Sequence, residues 1–592
     1  MLRRIFIRLF AGSAALLAAA APAATIVVNG SGDAVADDGT CTLREAIVAA
    51  SANSASGASA GECAAGDPAP AVDTIAFAIP DDDPGCSTQT HVCTIAPATT
   101  LPVVSNPVLI DGYTQPGTQP NMLAVGDGAV LRIEIDGTSV NPVLNFAGPA
   151  GGAANDASGS TVRGLVIDHI SSSGISCGFG NCANDLVIAG NFLGVDPSGT
   201  TMNGPAGSAP VYPITESGMI LGGTSPADRN LIGGGVLFSI CSNGTVRGNY
   251  FNVDRTGTTA LAPAPANSLD IDNSDHIIVG GAAPGAANVF GAWASNAIQI
   301  ATANSTFQPP NAVVVQGNLV GTDATGTQRL SPGEIGITIG ETLGNTGAGT
   351  GNVIGGGSPG EGNVVAGASI AGVLIQTDET DVVVQGNAIG TDASGTLALT
   401  NAIGVMATSG GGLIGGTSAG EGNRIERNAR DGISVSGATS VFAMLGNALY
   451  ANGTLGISLS PTDTPTPNDD GDPDTGPNGL QNYPVVTNAA IGPITSVHVS
   501  GSLDSSADTT FRVEFFANAG CNPSGNGEGE IFLGALDVTT IGTTATFGPV
   551  DFAVPDDRHV ITATATDPEG DTSEFSYCGA EDSIFSDEFE GH

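Results

Sequence analysis

The chain contains no lysine: all 15 of its basic residues are arginine, against 58 acidic residues, and the formal net charge is −43. Nucleic acids and anionic membrane surfaces are bound through basic faces, so neither is an expected partner. An enzyme that eliminates across a uronate needs a base, often lysine or arginine. Arg163, Arg247 and Arg424 are the arginines considered for that role, and none has a special setting in the sequence.

Charged residues make up only 12% of the chain and aromatic residues 5%, whereas glycine accounts for 87 of the 592 residues. This glycine content is about twice the usual ~7%. Together with 35 prolines it would interrupt nearly every helix. A chain that is 41% hydrophobic is also too apolar to remain disordered. The composition therefore predicts an all-β protein whose strands are separated by glycine turns.

Long apolar runs are absent except near the N-terminus. There Arg3, Arg4 and Arg8 precede the stretch AALLAAA, and Ala21-Pro22-Ala23 supplies small residues for a signal peptidase. Residues 1–24 are therefore expected to be a signal peptide, for the Sec route or, given the string RRIFIR, the twin-arginine route. The mature protein should be extracellular or on the cell surface, with the periplasm as the alternative, and without a transmembrane helix.

Nine cysteines in an exported chain favour disulfides, because the compartments outside the cytoplasm are oxidising. No CxxC pair is present, so a thiolate zinc site is not expected. Proximity in the sequence predicts four pairs: Cys41 with Cys63, Cys86 with Cys93, Cys177 with Cys182, and Cys521 with Cys578. Cys241 is left over within the apolar run VLFSIC and is expected to be a buried thiol.

Two sequence cassettes alternate through the middle of the chain. The first reads GNFLGVDPSGT, GNYFNVDRTGT, GNLVGTDATGT and GNAIGTDASGT, and its asparagines are Asn191, Asn249, Asn318 and Asn387. The second reads LGGTSPADRNLI, VGGAAPGAANVF, IGGGSPGEGNVV and IGGTSAGEGNRI. Short β-favouring bursts lie between the cassettes. Units of about 24 residues with three short strands and glycine corners are typical of a parallel β-helix.

Stacked coils explain which residues repeat. Inward-facing Val, Ile and Leu would lie on their equivalents in the next coil and form one continuous core. The four cassette asparagines are expected at the corners, where their amides would bond backbone groups of neighbouring coils as a structural ladder. A catalytic role for them is the less favoured alternative, because evenly repeated residues usually serve structure.

The ends of the repeat region suggest a domain plan. In CTLREAIVAA, Thr42 and Glu45 form a capping-box pattern that opens a short helix, which would cover the first coil. After the coils the chain becomes rich in Pro and Asp, and then shows the alternation of a small antiparallel β-sandwich. The predicted segments are an N-terminal cap region 25–100, a β-helix 101–460, a linker 461–484, a β-sandwich 485–579 and an acidic tail 580–592.

Two groups of side chains could carry chemistry. Asp270 and Asp272 share a strand face in LDIDNSDHII, with Asp275 and His276 directly after, but solvated carboxylates are the favoured interpretation. In NDDGDPD, oxygen-bearing side chains occupy every second position, as in calcium loops; they belong to Asn468, Asp470, Asp472 and Asp474. Calcium binding and an ordinary acidic linker are weighed equally, and calcium is the only cofactor expected.

The motifs CTLREAI, VLIDGYTQPG and NDDGDPDTGPNGLQNYP, together with both cassettes, resemble a group of exported bacterial proteins with a CSLREAI motif. The resemblance extends over nearly the whole mature chain and implies a right-handed parallel β-helix of pectin-lyase-like shape. It implies little about activity. The favoured hypothesis is a non-catalytic protein that binds glycans or cell-surface partners along the solenoid. The alternative is a polysaccharide lyase or glycoside hydrolase, although the GHG and RIK motifs of pectin-hydrolysing relatives are absent.

Overall fold

The structure is a computed structural model of the chain. It describes residues 23–148, 156–177, 182–303, 306–330, 333–340, 349–376, 380–460, 462, 464–492, 496–555 and 558–578. The expected signal peptide, except for its last two residues, and the acidic tail lie outside these ranges. Over the described residues the structure confirms the all-β prediction: a right-handed parallel β-helix is followed by a small antiparallel domain.

Three long parallel sheets form the walls of the solenoid. The first contains Thr25–Val28, Asp73–Phe77, Val108–Asp111, Thr161–Arg163, Val187–Ala189, Ile220–Gly222, Thr245–Arg247, Ile278–Gly280, Val314–Gln316, Val353–Gly355, Val382–Gln385, Gly411–Gly415 and Val441–Leu445. The second contains Cys93–Ile95, Ile133–Asp136, Val166–Asp168, Phe192–Leu193, Leu231–Ile232, Tyr250–Phe251, Val289–Phe290, Leu319–Val320, Val364–Val365, Ala388–Ile389, Arg424–Glu426 and Ala448–Tyr450. The third contains Leu144–Asn145, Ser173–Ser176, Ala209–Tyr212, Val236–Ser239, Asn267–Asp272, Asn296–Ala301, Ile335–Gly340, Ala371–Gln376, Ile403–Ala407, Ile433–Val435 and Ile457–Ser458.

The core consists of aliphatic columns that run along the solenoid. In the first sheet one buried position stacks in unbroken register through successive coils. Its members are Ile110, Val162, Ile188, Leu221, Val246, Val279, Val315, Ile354, Val384, Ile414 and Met444. Coils in parallel register are ~4.8 Å apart, so each side chain packs directly on its equivalent. The recurring Val and Ile of the cassettes are therefore core residues.

Asparagines form a continuous ladder at the corner between the first and second sheets. Each except the last donates from its Nδ2 to the Oδ1 of the asparagine in the next coil, over 2.8 to 3.1 Å. Each also donates to a main-chain oxygen in the coil before it. The ladder consists of Asn191, Asn230, Asn249, Asn288, Asn318, Asn363, Asn387, Asn423 and Asn447.

This ladder draws on both cassettes. Asn191, Asn249, Asn318 and Asn387 lie in it, and the second cassette contributes every other member up to Asn423. The cassettes are thus two forms of the same corner. In the first sheet, Gly280 of the second cassette has φ +81°, and a Cβ there would lie 2.1 Å from the Gln316 carbonyl oxygen. Glycine is required because the next coil passes so close.

The residue directly before three copies of the first cassette is an arginine or a glutamine, and each lies beside a glycine of the second cassette in the next coil. The side chains of Arg247, Gln316 and Gln385 lie across the following coil and donate to the carbonyl oxygens of glycines at 3.1, 3.0 and 2.9 Å. Those glycines are Gly280, Gly355 and Gly415. From Gly222 to Gly415, coils with a long side chain and coils with glycine therefore alternate along the outside of the first sheet.

The solenoid begins earlier than the predicted boundary at residue 101. Thr25–Val28 pairs with Asp73–Phe77, which pairs with Val108–Asp111, so the region assigned to a cap supplies the first strands. These strands carry no cassette, and a long insertion separates the first two, so their repeat could not be recognised. The insertion contains the predicted helix, Leu43–Ala52, whose Thr42 and Glu45 form the capping box. Its Leu43 and Ile47 belong to the solenoid core.

The C-terminal domain has two three-stranded antiparallel sheets. One contains Val485–Gly492, Ser496–Asp504 and Thr544–Ala553; the other contains Thr510–Asn518, Ile531–Thr539 and Val560–Thr566. Three short 3-10 helices complete the described elements: Gly112–Thr114, Pro226–Asp228 and Pro477–Leu480. The four expected cysteine pairs all lie at disulfide distance, and Cys241 is a free, buried thiol.

Three buried glutamates of the C-terminal domain close the end of the solenoid. Glu514 accepts the backbone N–H of Gly446 at 2.8 Å, Glu528 accepts that of Asn452 at 3.0 Å, and Glu574 accepts that of Leu459 at 2.8 Å. The last coil has no further coil to take these donors, and unpaired buried N–H groups are costly. Burial raises the pKa of all three carboxyls, that of Glu574 to about 7. The domain therefore serves as the C-terminal cap.

We expect Asn363→Ala to lower the free energy of unfolding by at least about 2 kcal/mol, because it leaves several buried hydrogen-bonding groups without partners. Asn363 donates to Val315 and Asn387, and accepts from the side chain and backbone of Asn318. The measurement is urea-induced unfolding followed by circular dichroism. Asn145→Ala, in the third sheet, is the control. Equal unfolding midpoints for the two variants would show that the ladder contributes little stability.

Candidate functional site

The outer surface of the third sheet is the candidate ligand face, called here the third-sheet face. Alternation along Asn267–Asp272 sends Leu269 and Ile271 into the core, so Asp270 and Asp272 point outward. One outward row runs through Leu237, Asp270, Gln299, Thr338, Leu374, Met406 and Ser434. Asp270 and Asp272 are the only charged residues in the eleven strands, none of which contains arginine.

Amide side chains organise the centre of this face. Asn267 donates to Asp270 Oδ1 at 2.7 Å and to Gln299 Oε1 at 2.9 Å. Asn296 donates to Asn267 Oδ1 at 3.0 Å and to Gln299 Oε1 at 2.9 Å. Thr338 donates to Asn296 Oδ1 at 2.6 Å. This network fixes polar groups of three successive coils in one plane, an arrangement suited to hydrogen bonding with hydroxyl groups.

Asp270 has a perturbed acidity. Burial raises its pKa to about 6, and the hydrogen bond from Asn267 only partly opposes that effect. A carboxyl that titrates near neutrality is a marker of functional sites. Tyr212 is two strands away in the same sheet, and its pKa is raised by burial and then by the charge of Asp272.

The four residues singled out in LDIDNSDHII do not form one site. Asp270 and Asp272 share the strand face as expected. Asp275 and His276 lie at the following corner, where their side chains are 46% and 62% exposed and 3.4 Å apart. The left-handed backbone of Asn273 and His276 turns the chain there and ends the strand alternation. The exposed pair is therefore separate from the partly buried carboxyl of Asp270.

A cavity of about 170 Å³ opens beside Asp270. Its walls include Ser208, Leu237, Pro265 and Asn267. The Ser208 side chain is 2% exposed, and its Oγ has no hydrogen-bond partner among the described residues. Because the Oγ is covered by protein atoms, Ser208 lines the cavity through its other atoms and not through its hydroxyl.

A second cluster lies at the junction between solenoid and C-terminal domain. Carboxylate oxygens of Asp469, Asp472 and Asp474 lie within 4.8 Å of one another, and the Oδ1 of each is buried without a hydrogen-bond partner in the described chain. Burial raises the pKa of Asp472, partly opposed by a hydrogen bond from Ser505. Asp571 also has a buried, unpaired Oδ1, and burial and then the charges of its neighbours raise its pKa to about 6. An all-oxygen donor set of this kind suits Ca²⁺.

Two of the four residues predicted for calcium lie elsewhere. Asn468 bonds through its amide to the backbone of Tyr483, at 2.8 and 3.0 Å, and Asp470 is exposed. Gly471 and Asp472 both have positive φ, so the alternation expected from an extended chain breaks at this point. The turn brings Asp469 in place of Asp470, while Asp472 and Asp474 stay in the cluster.

A third cluster, which the sequence did not predict, lies on the outer side of the second sheet. Glu134, Asp168 and His169 offer ligand atoms within 4.8 Å of one another, and Asp168 is fully buried. Burial raises the pKa of both carboxyls. Asp168 bonds to His169 Nδ1 at 3.0 Å and to Asn203 at 2.9 Å, so its oxygens are already paired. The acidic residues of LRIEIDG and GLVIDHI could have indicated this cluster, because the two segments form neighbouring strands.

The three arginines considered for elimination chemistry lie away from the third-sheet face. Arg163 pairs with Asp111 at 2.7 Å, and Arg247 spans to the next coil of the first sheet. Arg424, in the second sheet, donates to the Ser394 carbonyl oxygen at 2.6 Å. Each is thus engaged in holding the solenoid together.

No family model and no curated protein matches the chain. Among solved structures, it is similar to the A-module of the Azotobacter vinelandii mannuronan C-5 epimerase AlgE4, with a TM-score of 0.37 and 12% identity over 66% of this chain and 89% of that one. It is also similar to a variant of the periplasmic alginate epimerase AlgG, with a TM-score of 0.30 and 15% identity over 57% and 66%.

A tailspike protein, gp49 of the Acinetobacter baumannii bacteriophage Fri1, described as a capsular polysaccharide depolymerase, matches with a TM-score of 0.23 and 11% identity over 79% and 81%. TM-scores this low assign no activity to this chain. In the described part of the chain, no helix is long and apolar enough to cross a membrane.

We expect the free energy of unfolding of the protein to fall, relative to that of Asp270→Asn, as the pH rises from about 4 to about 6. The pKa of Asp270 is raised in the folded state, so the native protein holds a proton that the unfolded chain releases in that window. The difference should reach about 2 kcal/mol, from 1.36 kcal/mol per pKa unit. Urea unfolding of both proteins across the window measures it. Parallel pH profiles would show that Asp270 is not perturbed.

Proposed function

We propose that the protein is an exported, non-catalytic solenoid that binds uncharged or cationic glycans along the third-sheet face. One observation carries the proposal: the eleven-stranded face holds an ordered network of amides and hydroxyls, two acids and no cation. Sugars are recognised through hydroxyl groups, which such a network can both donate to and accept from. Four disulfides and the resemblance to the CSLREAI group support export.

The alternative, a lyase acting on polyuronates, fits this face less well. Such an enzyme must neutralise the substrate carboxylate, and elimination needs a base close to the sugar. Asp270 and Asp272 would instead repel a uronate. A glycoside hydrolase remains the second candidate because Asp270 titrates near pH 6, as a general acid would.

We expect Gln299→Ala to weaken binding of a neutral or amino polysaccharide about tenfold, or about 1.4 kcal/mol. Gln299 accepts from two asparagines, so its removal disturbs the polar plane at its centre. Affinity electrophoresis against neutral, amino and uronate polysaccharides gives the ranking. Gln316→Ala, on the first sheet, is the control and should bind as the unaltered protein does. Release of reducing ends or unsaturated products would favour the enzyme alternatives.

We further propose that calcium binds at the junction through Asp469, Asp472 and Asp474, with Asp571 close to them. The support is the set of buried carboxylate oxygens without partners, whose mutual repulsion a divalent cation would relieve. Asp571 follows the last strand of the C-terminal domain, and the other three belong to the segment that leaves the solenoid. The ion would therefore stabilise the cap on the last coil.

Calcium at one hundred times its dissociation constant should raise the free energy of unfolding by about 2.7 kcal/mol. Asp472→Asn should remove most of that gain, because it loses a central ligand. Asp470→Asn should keep it, because Asp470 is exposed and outside the cluster. Thermal unfolding in calcium and in EDTA measures the effect. Identical unfolding curves in the two buffers would show that calcium does not stabilise the protein.

A further inference from the structure

The cavity beside Asp270 is small and chemically uneven. Its volume of about 170 Å³ suits a single pyranose ring. Leu237 and Pro265 supply an apolar wall, and Asn267 and Asp270 supply polar side chains. Sugar rings present an apolar face and a rim of polar substituents, so a site of mixed lining is what one such ring requires.

Asp270 is the charged group of this wall, and it is partly buried. Asp270 receives a hydrogen bond from the neutral amide of Asn267, and no cation contributes to its electrostatic environment. A carboxylate that is partly removed from water and lacks a cationic partner is destabilised in its charged form, which is why burial raises the pKa of Asp270.

No strand of the third sheet supplies that cation. The chain has no lysine, and the eleven strands of the third sheet contain no arginine. The nearest histidine in the sequence, His276, lies at the corner, where it is 3.4 Å from Asp275. A ligand that brings its own positive charge would complete the site.

We propose that this cavity binds the amino sugar of a glycan, with its primary ammonium group on Asp270 and the ring against Leu237 and Pro265. The inference rests on the proposed glycan-binding function and names its ligand class: a glucosamine-type residue with a free amine. N-acetylation removes the charge that Asp270 recognises, and a uronate places a like charge beside Asp270 and Asp272. Both changes should weaken binding.

The test compares three oligosaccharides of equal length by isothermal titration calorimetry: glucosamine, N-acetylglucosamine and a uronate. The glucosamine oligomer should bind the intact protein at least tenfold more tightly than the N-acetylated one, and the uronate should bind weakest. In Asp270→Asn the preference for the free amine should disappear. Asp275→Asn, which removes an exposed acid at the next corner, should keep the preference.

The outcomes distinguish the amino-sugar site from glycan binding in general. Equal affinity for the free and acetylated oligomers would overturn the amino-sugar site and leave glycan binding intact. Binding of none of the three would overturn both. A preference that survives in Asp270→Asn, or that is lost in Asp275→Asn, would assign it to the general negative charge of the protein and overturn the site.

Discussion

The structure depends on satisfying backbone hydrogen-bonding groups where stacked coils turn and where the stack ends. Along the strands each coil pairs with its neighbours, but the chain leaves this strand pairing at the sharp corner between the first and second sheets. Buried asparagines fill that gap by bonding to one another and to the coil before. At the C-terminal end, Glu514, Glu528 and Glu574 take the donors that a further coil would have used. Both devices meet the demand that buried polar groups be paired.

The sequence predicts this fold well because its repeats are visible as text. The cassettes identified the coils, the inward aliphatic positions and four of the ladder asparagines. They also contained the other half of the ladder, but Asn230 and its equivalents lie ten positions into a cassette whose glycines dominate the pattern. The strands at Thr25 and Asp73 could not be found, because a long insertion separates them and neither carries a cassette.

The candidate sites were less predictable, since they depend on backbone turns and on which coil lies beside which. One left-handed turn at Gly471 and Asp472 exchanged Asp469 for Asp470 in the acidic cluster. Glu134 and Asp168 come together through the pairing of two strands that are 30 residues apart in the sequence. Ser208 reaches the cavity beside Asp270 from a loop two coils earlier in the chain. Spacing along the sequence carries no signal for contacts of this kind, whereas it identified Asp270 and Asp272 on one strand face.

The alternation on the first sheet has a consequence for how such a solenoid can change its length. A long side chain in one coil lies over a glycine in the next, as Gln316 does over Gly355. Loss of a single coil would place two long side chains, or two glycines, against each other and would break this fit. Loss or gain of two coils would restore it, displacing the ends by about 10 Å. Natural lengthening or shortening of the solenoid should therefore proceed by two coils at a time, because the coil pair is the unit that packs.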